Sequence, residues 1–110
     1  MIKRISITGS SSLLGKNVIN LLNNHLLSVS SRKVKKLIFK KNNYKKKIQV
    51  FYGNLEKKKF VSKLFKNSEC VINIAFDIND YKKNITIIRN LINVSNSSKT
   101  VKRFIHISTA

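Results

Sequence analysis

The 110-residue sequence has no proline, one cysteine and four acidic side chains. Without proline, and with no glycine-rich stretch, nothing marks a linker. Residues 1–110 are therefore taken as one domain with one core. The single cysteine, Cys70, rules out an internal disulfide and fits a reducing compartment, where it is expected to pack as a small apolar residue at a strand start. Long apolar runs are missing too: none approaches the ~18 residues that span a bilayer. Met1 to Thr8 alternates apolar with polar residues, unlike the core of a signal peptide. These absences argue against a membrane association and lead to the expectation of a cytoplasmic protein.

The scarcity of acid leaves a formal charge of +19, from 23 Lys and Arg against four Asp and Glu. A charge of that size attracts nucleic acid and anionic surfaces over a long range. Its makeup argues against a nucleic-acid partner. It comes from 19 lysines and only 4 arginines, beside 14 asparagines and 15 isoleucines, the mixture that an A+T-rich coding sequence produces without selection for binding. Phosphate-reading surfaces lean on arginine forks as well as on lysine point charges. The lysine excess is assigned to a solvated exterior.

Hydrophobic spacing organises what is present. Ile2, Ile5 and Ile7 open a β-branched strand that runs into the small-residue turn Thr8-Gly9-Ser10-Ser11-Ser12. Leu13, Leu14, Val18, Ile19, Leu21, Leu22 and Leu26 then recur at spacings of three and four, which predicts a helix reaching Leu26. Val34 to Phe39 and Ile48 to Tyr52 read as the second and third strands, with Lys40 to Lys47 a loop that is short for a parallel crossover. Phe60, Val61, Leu64 and Phe65 mark a helical face within Glu56 to Phe65, and Val71 to Phe76 is a buried strand. Tyr81 to Ser95 is predicted as the longest helix after the first, with Asp77 and Asp80 as an acidic cap before it. Val101 to Ile107 makes a fifth strand. Strands alternating with helices imply a mostly parallel sheet covered on its faces by helices, because parallel neighbours need crossovers. The predicted architecture is α/β, a truncated Rossmann-like three-layer fold of about five strands in the order 3-2-1-4-5.

The turn Gly9-Ser10-Ser11-Ser12-Leu13-Leu14-Gly15 sits between a strand and a helix, where unpaired helix N–H groups and partial positive charge meet a pyrophosphate. Gly9 permits the tight turn and Gly15 lets the helix approach the strand. An ordinary helix start with Ser12 as its cap has the same composition. Four further segments follow in order: Gly53-Asn54-Leu55; Val71-Ile72-Asn73-Ile74-Ala75; Asn84 with Arg89-Asn90-Leu91; and Val101 to Ala110, VKRFIHISTA. With Thr8 to Gly15 these resemble, across nearly the whole chain, the motifs of extended short-chain dehydrogenases of the NAD(P)-dependent epimerase/dehydratase family: T-G-x-x-G-x-x-G, G-D-[LV], V-I-H-x-A, N-V-x-G-T-x-N-L and V-K-R-F-[VI]-x-x-S-[ST]-A.

The resemblance implies a dinucleotide site. Gly9, Ser10, Ser11, Ser12, Leu13, Leu14 and Gly15 would hold the pyrophosphate, Asn54 and Leu55 would flank adenine, and Ile74, Ala75 and Phe76 would line the middle of the cofactor with Asn84 nearby. Four departures bear on it. Ser12 stands for the middle glycine, Asn54 for an aspartate and Asn73 for a histidine, while Ile87 and Ile88 replace a Gly-Thr pair and thicken the helix. An asparagine oxygen at 54 still accepts a hydrogen bond. With Lys40 and Lys41 after the presumed second strand and no carboxylate, NADP is favoured over NAD.

The family's chemistry needs Tyr-x-x-x-Lys, in which the lysine lowers the tyrosine pKa for proton exchange with a substrate hydroxyl. Tyr44, Tyr52 and Tyr81 are followed four residues later by Ile48, Glu56 and Ile85, so the pair is absent. Thr109 falls at the family's substrate-orienting Ser/Thr position. His25, late in the first helix, and His106, in the last strand, have no partners at metal-ligand spacing and are read as structural.

The expectation is thus the N-terminal, NAD(P)-binding portion of an oxidoreductase acting on a hydroxyl or carbonyl, often of a nucleotide sugar, and not catalytic alone. Without the later elements it is expected to be marginally stable or to need a second chain completing the sheet. The alternatives are a dinucleotide-sensing or basic nucleic-acid-binding module, and a fragment with no independent function.

Overall fold

The computed structural model of the chain describes residues 3–9, 13–22, 24–31, 48–74 and 79–107. Five strands and three helices follow one another as β1 (Arg4–Thr8), α1 (Leu13–Leu21), β2 (Leu26–Ser31), β3 (Ile48–Tyr52), α2 (Lys58–Leu64), β4 (Cys70–Asn73), α3 (Tyr81–Ser97) and β5 (Arg103–His106). All pairings are parallel and the order is β3-β2-β1-β4-β5, as the alternation of elements predicts. In register, Ser6 lies between Ser28 of β2 and Val71 of β4.

Side chains of a strand alternate between the two faces of a sheet, so β1 feeds two separate cores. Ile5 and Ile7 pack with Ile19 of α1, Leu27, Val29 and Ile72 on one face. The opposite face carries a larger cluster built on Leu55, Val61, Leu64, Phe65, Val71, Ile87, Leu91 and Val94, which joins α2 and α3 to the sheet. Here β1 presents Ser6 and not an apolar residue. The buried Ser6 hydroxyl donates to the Leu64 carbonyl at 2.9 Å and shares a hydrogen bond with Ser68 Oγ. A carbonyl in the last turn of α2, without a helical partner of its own, is thereby satisfied from the sheet.

Cys70 is the first residue of β4 and half-buried, as expected, and desolvation raises its thiol pKa against the lowering effect of Arg103. Among the described residues no helix is long and apolar enough to cross a membrane.

Several expectations need correction. The first helix stops at Leu21, and Leu26 begins β2, which is Leu26–Ser31 and not Val34 to Phe39; the latter segment lies outside the described residues. Leu26 continues the helical spacing, but its N–H bonds the Lys3 carbonyl at 3.0 Å and starts the sheet. With β2 moved, the connection to β3 runs over 32–47 and is no longer short for a crossover. His25 accordingly lies in the turn before β2 and not in a helix. Finally, α3, at 17 residues, is longer than α1, at nine.

The predicted acidic cap of α3 is Asp80, whose carboxylate accepts the Lys83 N–H at 3.0 Å; Asp77 lies outside the described residues. Asp80→Ala is expected to cost about 1 kcal/mol, read as a lower thermal midpoint, because a first-turn N–H loses its acceptor.

Candidate functional site

A parallel sheet places the C-terminal ends of all its strands along one edge, and the chain leaves β1 toward β2 on one side while β4 lies on the other. The crevice between β1 and β4 is therefore the switch point of the topology, where open α/β sheets bind ligands. Thr8 and Asn73, both fully buried, end these two strands and face each other across it.

They are joined by a directed chain of hydrogen bonds. The Ile74 N–H donates to Thr8 Oγ1 at 3.2 Å, Thr8 Oγ1 donates to Asn73 Oδ1, and Asn73 Nδ2 lies 3.0 Å from His106 Nδ1. Because the Asn73 nitrogen can only donate, His106 Nδ1 accepts, and the neutral ring carries its proton on Nε2. The relay binds β1, β4 and β5 together at their C-terminal ends. It was not foreseen from sequence, where Asn73 reads only as a departure from the family's histidine and His106 as an isolated structural histidine. The signal that would have found it is the register, which sets Thr8 beside Asn73 and Asn73 beside His106. Asn73→Ala is expected to cost about 1–3 kcal/mol and to release the tautomer preference; imidazole 15N NMR of His106 reads the second effect directly.

Gly9 follows Thr8 directly and has a φ of 74°, a left-handed conformation that favours glycine. Gly15 is buried on α1 and Leu14 is exposed. Ser10, Ser11 and Ser12 lie outside the described residues, as does the side chain of Leu13.

At the far end of the same edge, the Gly53 N–H donates to the Ser31 carbonyl at 3.0 Å, holding the exit of β3 to that of β2. A Cβ on Gly53 would lie 2.5 Å from the Phe60 ring, so glycine is required there by space. Asn54 Oδ1 accepts the Glu56 N–H at 2.9 Å, and Leu55 is buried in the larger core. Asn90 Nδ2 donates to the Leu55 and Glu56 carbonyls at 3.1 and 2.8 Å, fixing this loop against α3.

Ile74 is half-buried beside the crevice, and Asn84 is half-buried on α3. Ala75, Phe76, Lys40, Lys41 and Thr109 lie outside the described residues. Since β2 ends at Ser31, the residues that follow it in sequence are Arg32 and Lys33, with Lys40 further along. Among the described residues no group of three or more His, Cys, Asp or Glu could hold a metal ion.

A parallel sheet in this order, with a left-handed glycine between β1 and α1 at the switch point, defines a Rossmann-like α/β domain. The NAD dependent epimerase/dehydratase family matches residues 5–110, and the chain belongs to it. No curated protein sequence matches the chain. Solved structures share the fold. Vestitone reductase from alfalfa (Medicago sativa) is 23% identical with a TM-score of 0.82 over 94% of this chain and 35% of its own. UDP-glucose 4-epimerase from Thermotoga maritima, solved with UDP-glucose, is 22% identical with a TM-score of 0.78 over 96% and 38%. NmrA, a negative transcriptional regulator solved with NAD, is 16% identical with a TM-score of 0.84 over 99% and 34%. The chain thus spans little more than a third of the length of these structures.

Proposed function

We propose that this chain is the NAD(P)-binding portion of an epimerase/dehydratase-type oxidoreductase that acts on a hydroxyl or carbonyl, with a nucleotide sugar as the leading substrate class. The observation that carries the reading is Gly9, held at φ 74° between the end of β1 and the start of α1, at the mouth of the crevice. A dinucleotide there would set its pyrophosphate over Gly9 to Gly15, where the N-terminal N–H groups of α1 point at it. Asn54 and Leu55 would lie beside adenine, with the second lone pair of the Asn54 oxygen left to accept from its amino group. Ile74, Ala75 and Phe76 would line the middle, near Asn84. Arg32 and Lys33, next in sequence after β2, join Lys40 and Lys41 in favouring the 2′-phosphate of NADP. Thr109 would orient a substrate oxygen. Tyr-x-x-x-Lys is absent from these 110 residues, so the proton transfer is assigned to residues outside them.

A dinucleotide-sensing role is the second reading, supported by the likeness to NmrA. Both share one test. Titration with NADPH and NADH, followed by nicotinamide fluorescence, is expected to give saturable binding with NADPH the tighter ligand. A folded chain that binds neither removes both readings. Hydride exchange with a carbonyl substrate, measured with the residues that supply the proton transfer present, separates the first from the second.

A further inference from the structure

An asparagine side chain carries an acceptor and a donor on one plane, and at Asn54 the structure fixes which lies where. The Glu56 N–H can only donate, so the atom 2.9 Å from it is Oδ1, and the amide cannot turn over without losing that bond. One lone pair of Oδ1 is left, and beside it Nδ2 bonds nothing among the described residues. Asn54 is half-buried just past the end of β3, so both groups stay open to a ligand.

The backbone that carries this amide is braced. The Asn54 carbonyl accepts the Lys57 N–H at 3.0 Å and closes the turn. From α3, Asn90 Nδ2 donates to the two carbonyls that follow, Leu55 at 3.1 Å and Glu56 at 2.8 Å, while Lys83 of the same helix meets Glu56 Oε1 at 3.9 Å. A fixed acceptor beside a fixed donor is complementary to one edge of adenine, where the 6-amino group donates and N7 accepts. Hypoxanthine presents O6 in place of the amino group, which sets acceptor against acceptor. A carboxylate in place of the amide offers acceptors alone: it meets the amino group and repels the lone pair of N7.

We propose that Asn54 selects the base of the bound nucleotide by contacting adenine at two atoms, Oδ1 accepting from the 6-amino group and Nδ2 donating to N7, and that Asn90 is the positioning residue that holds the loop for it. The inference rests on the cofactor reading above. It adds to that reading a discrimination between bases, made by a donor that the aspartate of the family's motif lacks.

The test is displacement of NADPH from the full chain by ADP, 7-deaza-ADP and inosine diphosphate, followed by nicotinamide fluorescence. The three competitors carry the same phosphates and differ only in the base. The parent chain is expected to bind ADP about tenfold tighter than either of the others, the discrimination typical of a two-point contact. Asn54→Asp keeps an acceptor for the Glu56 N–H and for the amino group, and is expected to bind 7-deaza-ADP no more weakly than ADP, because no donor is left for N7 to meet. The added carboxylate acts on all competitors alike and cancels from that ratio. Asn90→Ala, compared once its thermal midpoint shows it folded, is expected to shrink the gap between ADP and 7-deaza-ADP to less than about threefold. A role in stability alone would weaken all three competitors equally. A folded parent chain that does not bind NADPH removes the cofactor reading and this inference with it. NADPH binding with ADP and 7-deaza-ADP equal in the parent leaves the cofactor reading standing and overturns the inference, and an Asn90→Ala chain that keeps the whole gap overturns the role given to Asn90.

Discussion

Phe65→Ala is expected to lower the stability of the chain by about 3–5 kcal/mol, the usual cost of removing a buried aromatic ring and leaving a cavity. Phe65 is 1% exposed and is the largest of the fully buried side chains. It sits where α2 ends, its N–H bonding the Val61 carbonyl at 3.0 Å and its own carbonyl accepting the Ser68 N–H at 3.0 Å. Its ring packs in the cluster that joins α2, α3 and β4, so the loss is felt by every element on that face. Domains of this size have a total stability of about 5–15 kcal/mol, and the substitution removes a large share of it. Urea unfolding should show a lower midpoint at unchanged slope. The neighbouring Lys66→Ala, exposed, should shift it by less than about 0.5 kcal/mol. A loss from Phe65→Ala no larger than that control would mean that α2 is not seated on the sheet as described.

Gly9→Val is expected to weaken dinucleotide binding by more than about a hundredfold, through the loss of roughly two charge-assisted backbone hydrogen bonds at about 1.5–3 kcal/mol each. The cause is conformational. At φ 74° a β-branched side chain collides with its own backbone, so the turn must change shape and carry the start of α1 away from the crevice. Gly9→Ala, which suffers the same clash with a smaller side chain, should give an intermediate loss. The thermal midpoint is measured on both variants so that binding is compared among folded chains. A folded Gly9→Val chain that binds NADPH as the parent does would remove the pyrophosphate from this loop and with it the proposed cofactor site.

Much of the fold was legible because local pattern and tertiary environment agree. Ile48 to Tyr52 was read as a strand with the observed bounds, its β-branched and aromatic residues stopping at Gly53. Asp80 was legible as a cap because an acidic residue before an apolar-periodic run has few other uses. β2 was not legible. Its sequence, Leu26-Leu27-Ser28-Val29-Ser30-Ser31, holds three serines with little strand propensity, and Leu26 extends a helical spacing by chance. Those serines become explicable only in the sheet. Ser28 lies beside Ser6 and accepts a hydrogen bond from Arg4 Nη1 at 2.8 Å, an arrangement set by register. The Thr8–Asn73–His106 relay was hidden for the same reason. Its members are 65 and 33 residues apart, and only strand order brings them together.

One edge of the sheet ends in β5, which pairs with β4 alone among the described strands. An open strand edge is a template on which other chains can stack into aggregates, and proteins guard such edges with cations. Here Lys102 and Arg103 stand exposed where β5 begins, on a molecule that already repels its copies through its charge. The surplus lysine, whatever its origin in the coding sequence, is expected to serve as a safeguard that keeps copies of this sheet apart by like-charge repulsion. That safeguard weakens as salt shortens the reach of the repulsion.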